Sequence, residues 1–154
     1  MSVKFNQLVA RMPELLEVLE SQPFLTRDNL GGIPEKGVYV FYENGKAIYV
    51  GRSNRLKSRI QQHSRPSSRH NSASFAFNIA KEIMTRHQDI PKYITRKGLE
   101  EAPGFVSVFS RARNRVARMK IRVIEIEEPF AQALFEIYAV LTLNTTKYND
   151  FSTH

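Results

Sequence analysis

The chain has 154 residues and no cysteine, enough for one domain with its own core and too few for two, with disulfides and thiolate zinc sites excluded. No apolar run approaches the roughly 20 residues that span a bilayer and no signal peptide is visible, so no membrane role and a cytoplasmic location are expected. A formal charge of +8 points to polyanionic partners, nucleic acid first.

The first 22 residues place Phe5, Leu8, Val9, Met12, Leu15, Leu16 and Leu19 at helical spacing. Pro13 would cost about 3 kcal/mol inside a helix, so the pattern predicts two short helices with Pro13 near the first turn of the second. Pro23 ends the pattern, and Gly31-Gly32-Ile33-Pro34 reads as a linker. Residues 1–33 are thus expected to form a helical extension that packs on the domain, on a protein partner or on a second copy. A main domain, 34–150, and a tail, 151–154, follow.

Residues 38–42 and 46–50 are β-branched and aromatic runs around Asn44-Gly45, a strong hairpin signal. From Ser53 the pattern turns helical, with Ser53 or Asn54 as N-cap. Residues 64–74 read as a mobile Ser- and Arg-rich loop. A helix is expected over 75–87 with Phe75, Ile79, Ile83 and Met84 inward and Phe77 also in the core, then a loop over 88–103. Phe105, Val108, Phe109, Ala112 and Val116 predict a helix over 104–117. Residues 119–127 alternate as a third strand. After Pro129 the sequence is apolar nearly all round, as in a helix buried at the centre of a domain. His70, His87 and His154 have no ligand spacing and are expected at the surface, and Glu125, Glu127 and Glu128 at a solvated strand end.

The charge is grouped. Arg52–Arg69 holds six Lys or Arg and no acid, and Arg111–Arg122 holds six more, again without an acid. Such clusters suit a phosphate backbone. Arg55, Arg59 and His63 recur every four residues on one helix face, and Arg52 and Ser53 are placed at that helix's start, where the dipole favours an anion. Glu136 falls on an apolar stripe of an apolar helix, so it needs an arginine partner or a metal ion.

Whether Tyr39 and Tyr49 cooperate depends on the hairpin register. A two-residue loop pairs Glu43 with Lys46 and sends the tyrosines to opposite faces. A three-residue loop with Gly45 left-handed pairs Tyr42 with Lys46 and sets Tyr39 across from Tyr49. Both loops suit the sequence, and a shared site requires the second, which is the one predicted.

Gly37-Val38-Tyr39, followed after a hairpin by Tyr49-Val50-Gly51, resembles the paired signature that names the GIY-YIG nuclease family, with valine for isoleucine in both halves. Arg59 and His63 stand ten and fourteen residues after Tyr49, as that family's helix arginine and histidine do. Arg52 follows the second motif where a basic residue is usual. Glu136 matches the metal-binding glutamate, and Asn149 fits the later asparagine better than Asn144.

The resemblance covers roughly residues 34–150. It implies an α/β (α+β) fold, a small three-stranded antiparallel sheet flanked by helices. It also implies endonuclease activity with one divalent cation, Mg2+ or Mn2+. Glu136 would hold the metal, Arg59 and Arg52 would offset transition-state charge, and Asn149 would complete the set. The base is Tyr39, Tyr49 or His63, with Tyr39 first. Lowering a tyrosine pKa from about 10 to about 7 takes roughly 4 kcal/mol, which His63 would not need. Arg55, Lys57, Arg65, Arg69, Arg111, Arg115 and Arg118 would bind DNA. The alternatives are a non-cleaving nucleic-acid-binding module of the same fold and an interaction protein using its N-terminal helix.

Overall fold

The computed structural model describes residues 2–69, 72–87, 90–91 and 94–151. In chain order the elements are α1 (Val3–Glu20), β1 (Gly37–Glu43), β2 (Lys46–Ser53), α2 (Leu56–Gln62), α3 (Ser74–His87), α4 (Arg96–Glu100), α5 (Phe105–Ala117), β3 (Lys120–Glu125) and α6 (Pro129–Leu143). The chain divides into two units, Met1–Ile60 with Met119–His154, and Gln61–Arg118. No helix of the described residues is long and apolar enough to cross a membrane.

The first unit is an antiparallel sheet in the order β2-β1-β3. Alternation along the strands sorts the side chains. Val38, Val40, Tyr42, Ala47, Val50 and Ile124 pack with Met12, Leu16 and Leu19 of α1 and Ala131, Phe135, Ala139 and Val140 of α6. The opposite face carries Tyr39, Phe41, Tyr49, Ile121 and Val123, as the pairing requires.

Two short helices were expected at the N-terminus, and one forms. α1 runs without interruption through Pro13, its start capped by Ser2 Oγ, which accepts the Phe5 N–H at 3.1 Å. Met12, Leu16 and Leu19 are buried along one stripe. Burial stabilises by about 1.5–3 kcal/mol per large apolar side chain, which together outweighs the proline's cost of about 3 kcal/mol.

The stretch after α1 is tied to the outer edge of β3. Leu25 and Ile121 exchange two backbone hydrogen bonds of 2.8 Å. Arg122 Nε donates to the Gln22 carbonyl at 2.9 Å, and its guanidinium lies 3.9 Å over the Phe24 ring.

α6 departs from its expected central position. Ala131, Phe135, Ala139 and Val140 are buried, while Phe130, Ile137 and Leu141 are exposed. An apolar sequence all round is the mark of a buried helix, but among the described residues only one side of α6 is covered.

In the second unit, Phe105, Val108, Phe109, Ala112 and Val116 are the buried face of α5, as their spacing predicts. α3 buries Phe75, Phe77, Ile79 and Met84, with Ile83 only half-buried. α4 forms within the segment expected to be loop, capped by Thr95 Oγ1, which accepts the Gly98 N–H at 3.0 Å. Phe77 lies edge-on to Phe105, with the Arg96 guanidinium 4.0 Å over its ring. The described part of the loop after α2 is held from α5: Arg113 Nη1 donates to the carbonyls of Pro66 and Ser68, both at 2.6 Å, while its guanidinium stacks on Phe109. His87 is exposed, and His70 and His154 lie outside the described residues.

Candidate active site

The hairpin has the two-residue loop, so the three-residue loop expected from the sequence is incorrect. Glu43 pairs with Lys46 around Asn44 and Gly45, whose φ angles of 52° and 78° are those of a type I′ turn. The register then shifts between Phe41 and Tyr42: Tyr42 pairs with Ala47, Phe41 with Tyr49. Ile48 is the extra residue, a β-bulge. One added residue reverses the alternation, so Tyr49 rejoins the face of Tyr39 and Phe41. The shared face that the sequence argument sought from the turn comes from the bulge instead. The ring centroids of Tyr39 and Phe41 stand 5.7 Å apart, and those of Phe41 and Tyr49 6.5 Å.

Tyr39 pairs with Gly51, and its ring lies across that residue's backbone. A β-carbon at position 51 would collide with Tyr39 Cζ and Oη. At position 37 a β-carbon would run into the Ile124 carbonyl, where β1 and β3 approach closely. Both motif glycines are therefore required by contact.

The Arg59 side chain hydrogen-bonds the Tyr39 phenol. Burial pushes the phenol well above its ordinary range, and Tyr49 adds to the rise. Arg59 pulls it down by charge and hydrogen bond, and Glu136 contributes a further upward push. Glu136 stands on α6 with its side chain 20 % exposed, and Arg52 Nε lies 3.4 Å from its Oε1. Arg52 pairs with Val38, on the sheet face that packs against α6. Burial raises the Glu136 carboxyl above the usual carboxylate range despite the opposing pull of Arg52. Among the described residues no three His, Cys, Asp or Glu gather as a metal cluster. An ion here would have one protein carboxylate, which suits Mg2+, since that ion keeps waters and substrate phosphate as its remaining ligands.

Residues 35–100 match the model of the GIY-YIG catalytic domain. That stretch is similar to the GIY-YIG catalytic domain. No curated protein and no solved structure matches it. The match ends before Glu136, which pairs with Arg52, and before Asn149, which contacts the Val50 backbone.

Asn149 lies against the edge strand of the GIY-YIG hairpin. Its Nδ2 donates to the Val50 carbonyl at 2.7 Å, and its Oδ1 accepts the Val50 N–H at 2.9 Å and the Thr145 hydroxyl at 2.8 Å. The amide takes the place of a neighbouring strand beside Tyr49 and Gly51. Asn144 is instead the left-handed C-cap of α6.

Arg52 belongs to β2 and not to a helix start, and the Leu56 N–H that opens α2 is taken by the Glu35 carbonyl at 2.9 Å. Ser53 Oγ accepts the Arg55 N–H at 2.9 Å, and Asn54 Oδ1 accepts from Gln132 Nε2 at 3.3 Å, so neither serves as the expected N-cap. Arg55 and Lys57 are exposed. His63 follows the end of α2 and falls in the second unit, fully buried with its ring edge-on to Phe75. That unit also carries Arg65, Arg69, Arg111 and Arg118 on its surface and Arg115 half-buried. Sequence reasoning missed Arg113, which binds the Pro66 and Ser68 carbonyls. Its signal was indirect: an odd arginine outside the 111/115/118 stripe, next to the buried face of α5.

Proposed function

We propose that the chain is an endonuclease that hydrolyses phosphodiester bonds in DNA with one divalent cation, Mg2+ or Mn2+. One observation carries the reading: Tyr39 and Tyr49 share a sheet face, and the Tyr39 phenol, lying across the Gly51 backbone, is hydrogen-bonded by Arg59. Apolar side chains would fill the same space at lower cost, so this set of titratable groups is there for chemistry.

Glu136 is the residue that would hold the cation, which when bound supplies Lewis-acid neutralisation of phosphate charge. The remaining chemistry belongs to side chains. Arg59 and Arg52 donate N–H groups to nonbridging oxygens and offset the negative charge that grows as water attacks phosphorus. As the new P–O bond forms, the water's proton passes to the Tyr39 oxygen in its phenolate form. The bond to the leaving oxygen breaks, and that oxygen takes a proton from solvent. Tyr49 shares hydrogen bonds with the attacking water, and Asn149 holds the strand that carries Tyr49.

Burial makes the Tyr39 phenolate scarce near neutral pH, and Arg59 works against that scarcity. His63, buried in the second unit, is the competing base. Arg55, Lys57, Arg65, Arg69, Arg111, Arg115 and Arg118 grip the DNA backbone through phosphate, so binding weakens steeply with salt. The reading belongs with a cytoplasmic location.

Nicking of supercoiled plasmid in Mg2+ or Mn2+ tests the proposal. Open circles are expected. Binding without cleavage in either metal would return the chain to a non-cleaving module of the same fold.

A further inference from the structure

Within the second unit, the basic loop after α2 is fastened to one side chain of α5. Arg113 Nη1 donates to the carbonyls of Pro66 and Ser68, both at 2.6 Å, across 47 and 45 residues of sequence. Its guanidinium lies 4.7 Å over the Phe109 ring, which stacks in turn on Phe105 with centroids 5.4 Å apart. The buried Nε finds no hydrogen-bond partner among the described residues. A guanidinium set on neutral acceptors is costly to keep, and an apolar side chain would cover Phe109 more cheaply. What the cation secures is the loop backbone.

The two carbonyls alternate along the chain with Arg65, Ser67 and Arg69, all three exposed. Ser68 is buried, and its N–H donates to the Arg65 carbonyl at 2.9 Å, closing a turn. No Asp or Glu occurs between Glu43 and Glu82, so neither loop arginine has an acid near it in sequence. At about 100° per residue, Arg113 lies across the buried face of α5 from Arg111 and Arg115, outside their stripe.

We infer that Arg113 is a positioning residue for DNA binding, holding segment 65–69 in the form in which Arg65 and Arg69 grip phosphates. The inference rests on the nucleic-acid reading of the chain. A loop fixed beforehand need not be ordered on binding, so its contacts count in full. A single nitrogen serves both carbonyls, so the ammonium of Arg113→Lys can replace it, whereas Arg113→Met has no donor.

Fluorescence anisotropy of a labelled DNA duplex with the full chain, in EDTA to withhold the cation, measures affinity from about 50 to about 200 mM salt. Arg65→Ala/Arg69→Ala should lower the slope of log affinity against log salt by about two, one for each phosphate contact. Arg113→Met should weaken binding at least about tenfold and lower the slope likewise, and Arg113→Lys should restore both. Added to the loop double variant, Arg113→Met should weaken binding less than about twofold further, because it acts through those arginines. The Ser68 amide should be protected from hydrogen exchange in the wild-type chain and lose that protection in Arg113→Met.

Wild-type affinity and slope in Arg113→Met would overturn the inference. So would a full tenfold loss in the loop-variant background, which would mean a direct contact or a purely structural role, or a failure of Arg113→Lys to rescue. An unprotected Ser68 amide in the wild-type chain would overturn it without any variant having to fold. A wild-type chain that binds no DNA would remove the nucleic-acid reading itself, and this inference with it.

Discussion

The ring of Tyr39 rests on the bare backbone of Gly51, directly across the β1–β2 ladder. A methyl group at position 51 has no room unless the ring moves, and the ring is 1 % exposed. Gly51→Ala is therefore expected to destabilise the fold by about 1–3 kcal/mol, as overpacking does. Cleavage should fall at least tenfold, since small displacements of a catalytic group are expensive. Urea unfolding and single-turnover cleavage measure the two effects, and wild-type values for both would remove Tyr39 from its present position.

Glu136 links stability to pH and to metal. Its carboxyl titrates above the ordinary range in the folded chain. The associated stability is thus fully present below the unfolded pKa and is lost as pH rises through the raised folded value. Glu136→Gln should remove this loss, so its melting temperature relative to wild type should grow as pH rises from about 4 towards neutrality. A divalent cation should reverse the order. At tenfold its dissociation constant it stabilises the wild-type chain by about 1.4 kcal/mol and leaves Glu136→Gln unchanged. Equal shifts in both proteins would place the ion elsewhere.

The base assignment has its own signature. Burial and Tyr49 raise the Tyr39 phenol well above its ordinary range. Below that pKa the phenolate fraction, and with it the single-turnover rate, should climb about tenfold per pH unit through neutrality and beyond. A histidine base instead gives a plateau above about pH 7. A plateau that disappears in His63→Ala would transfer the role to His63.

Asn149 serves Val50 with both ends of its amide. Asn149→Asp keeps an acceptor for the Val50 N–H but sets a carboxylate oxygen against the Val50 carbonyl. A loss of about 1–3 kcal/mol in urea unfolding is expected, larger at neutral pH than at pH 3, where the carboxyl is protonated. No difference between the two pH values would mean that the amide is not held as described.

Much of this molecule was legible in its sequence, and the exceptions share a cause. The buried face of α5 followed from spacing alone, because an amphipathic helix repeats one local rule. The loop at Asn44-Gly45 did not, since two- and three-residue turns both suit that dipeptide. The register was set further along by the bulge at Ile48, which no local pattern announces. Pro13 argued for a break in α1, but the burial of Met12, Leu16 and Leu19 prevailed. For α6, composition identified an apolar surface without saying what covers it. In the candidate site, Tyr39, Tyr49, Arg59 and Glu136 were readable as residue types. The need for Gly51 and the hold of Asn149 on Val50 required coordinates.

The central claim is that Tyr39 and Glu136 act in one cleavage site, and a double-mutant cycle in single-turnover plasmid cleavage tests it most directly. In Mg2+ the wild-type chain should nick DNA, and Tyr39→Phe and Glu136→Ala should each lose at least about a hundredfold. The double variant should be little worse than either single one, because residues acting as a unit are not additive. A wild-type chain that never nicks, or a Glu136→Ala variant that cuts at the wild-type rate, would contradict the account.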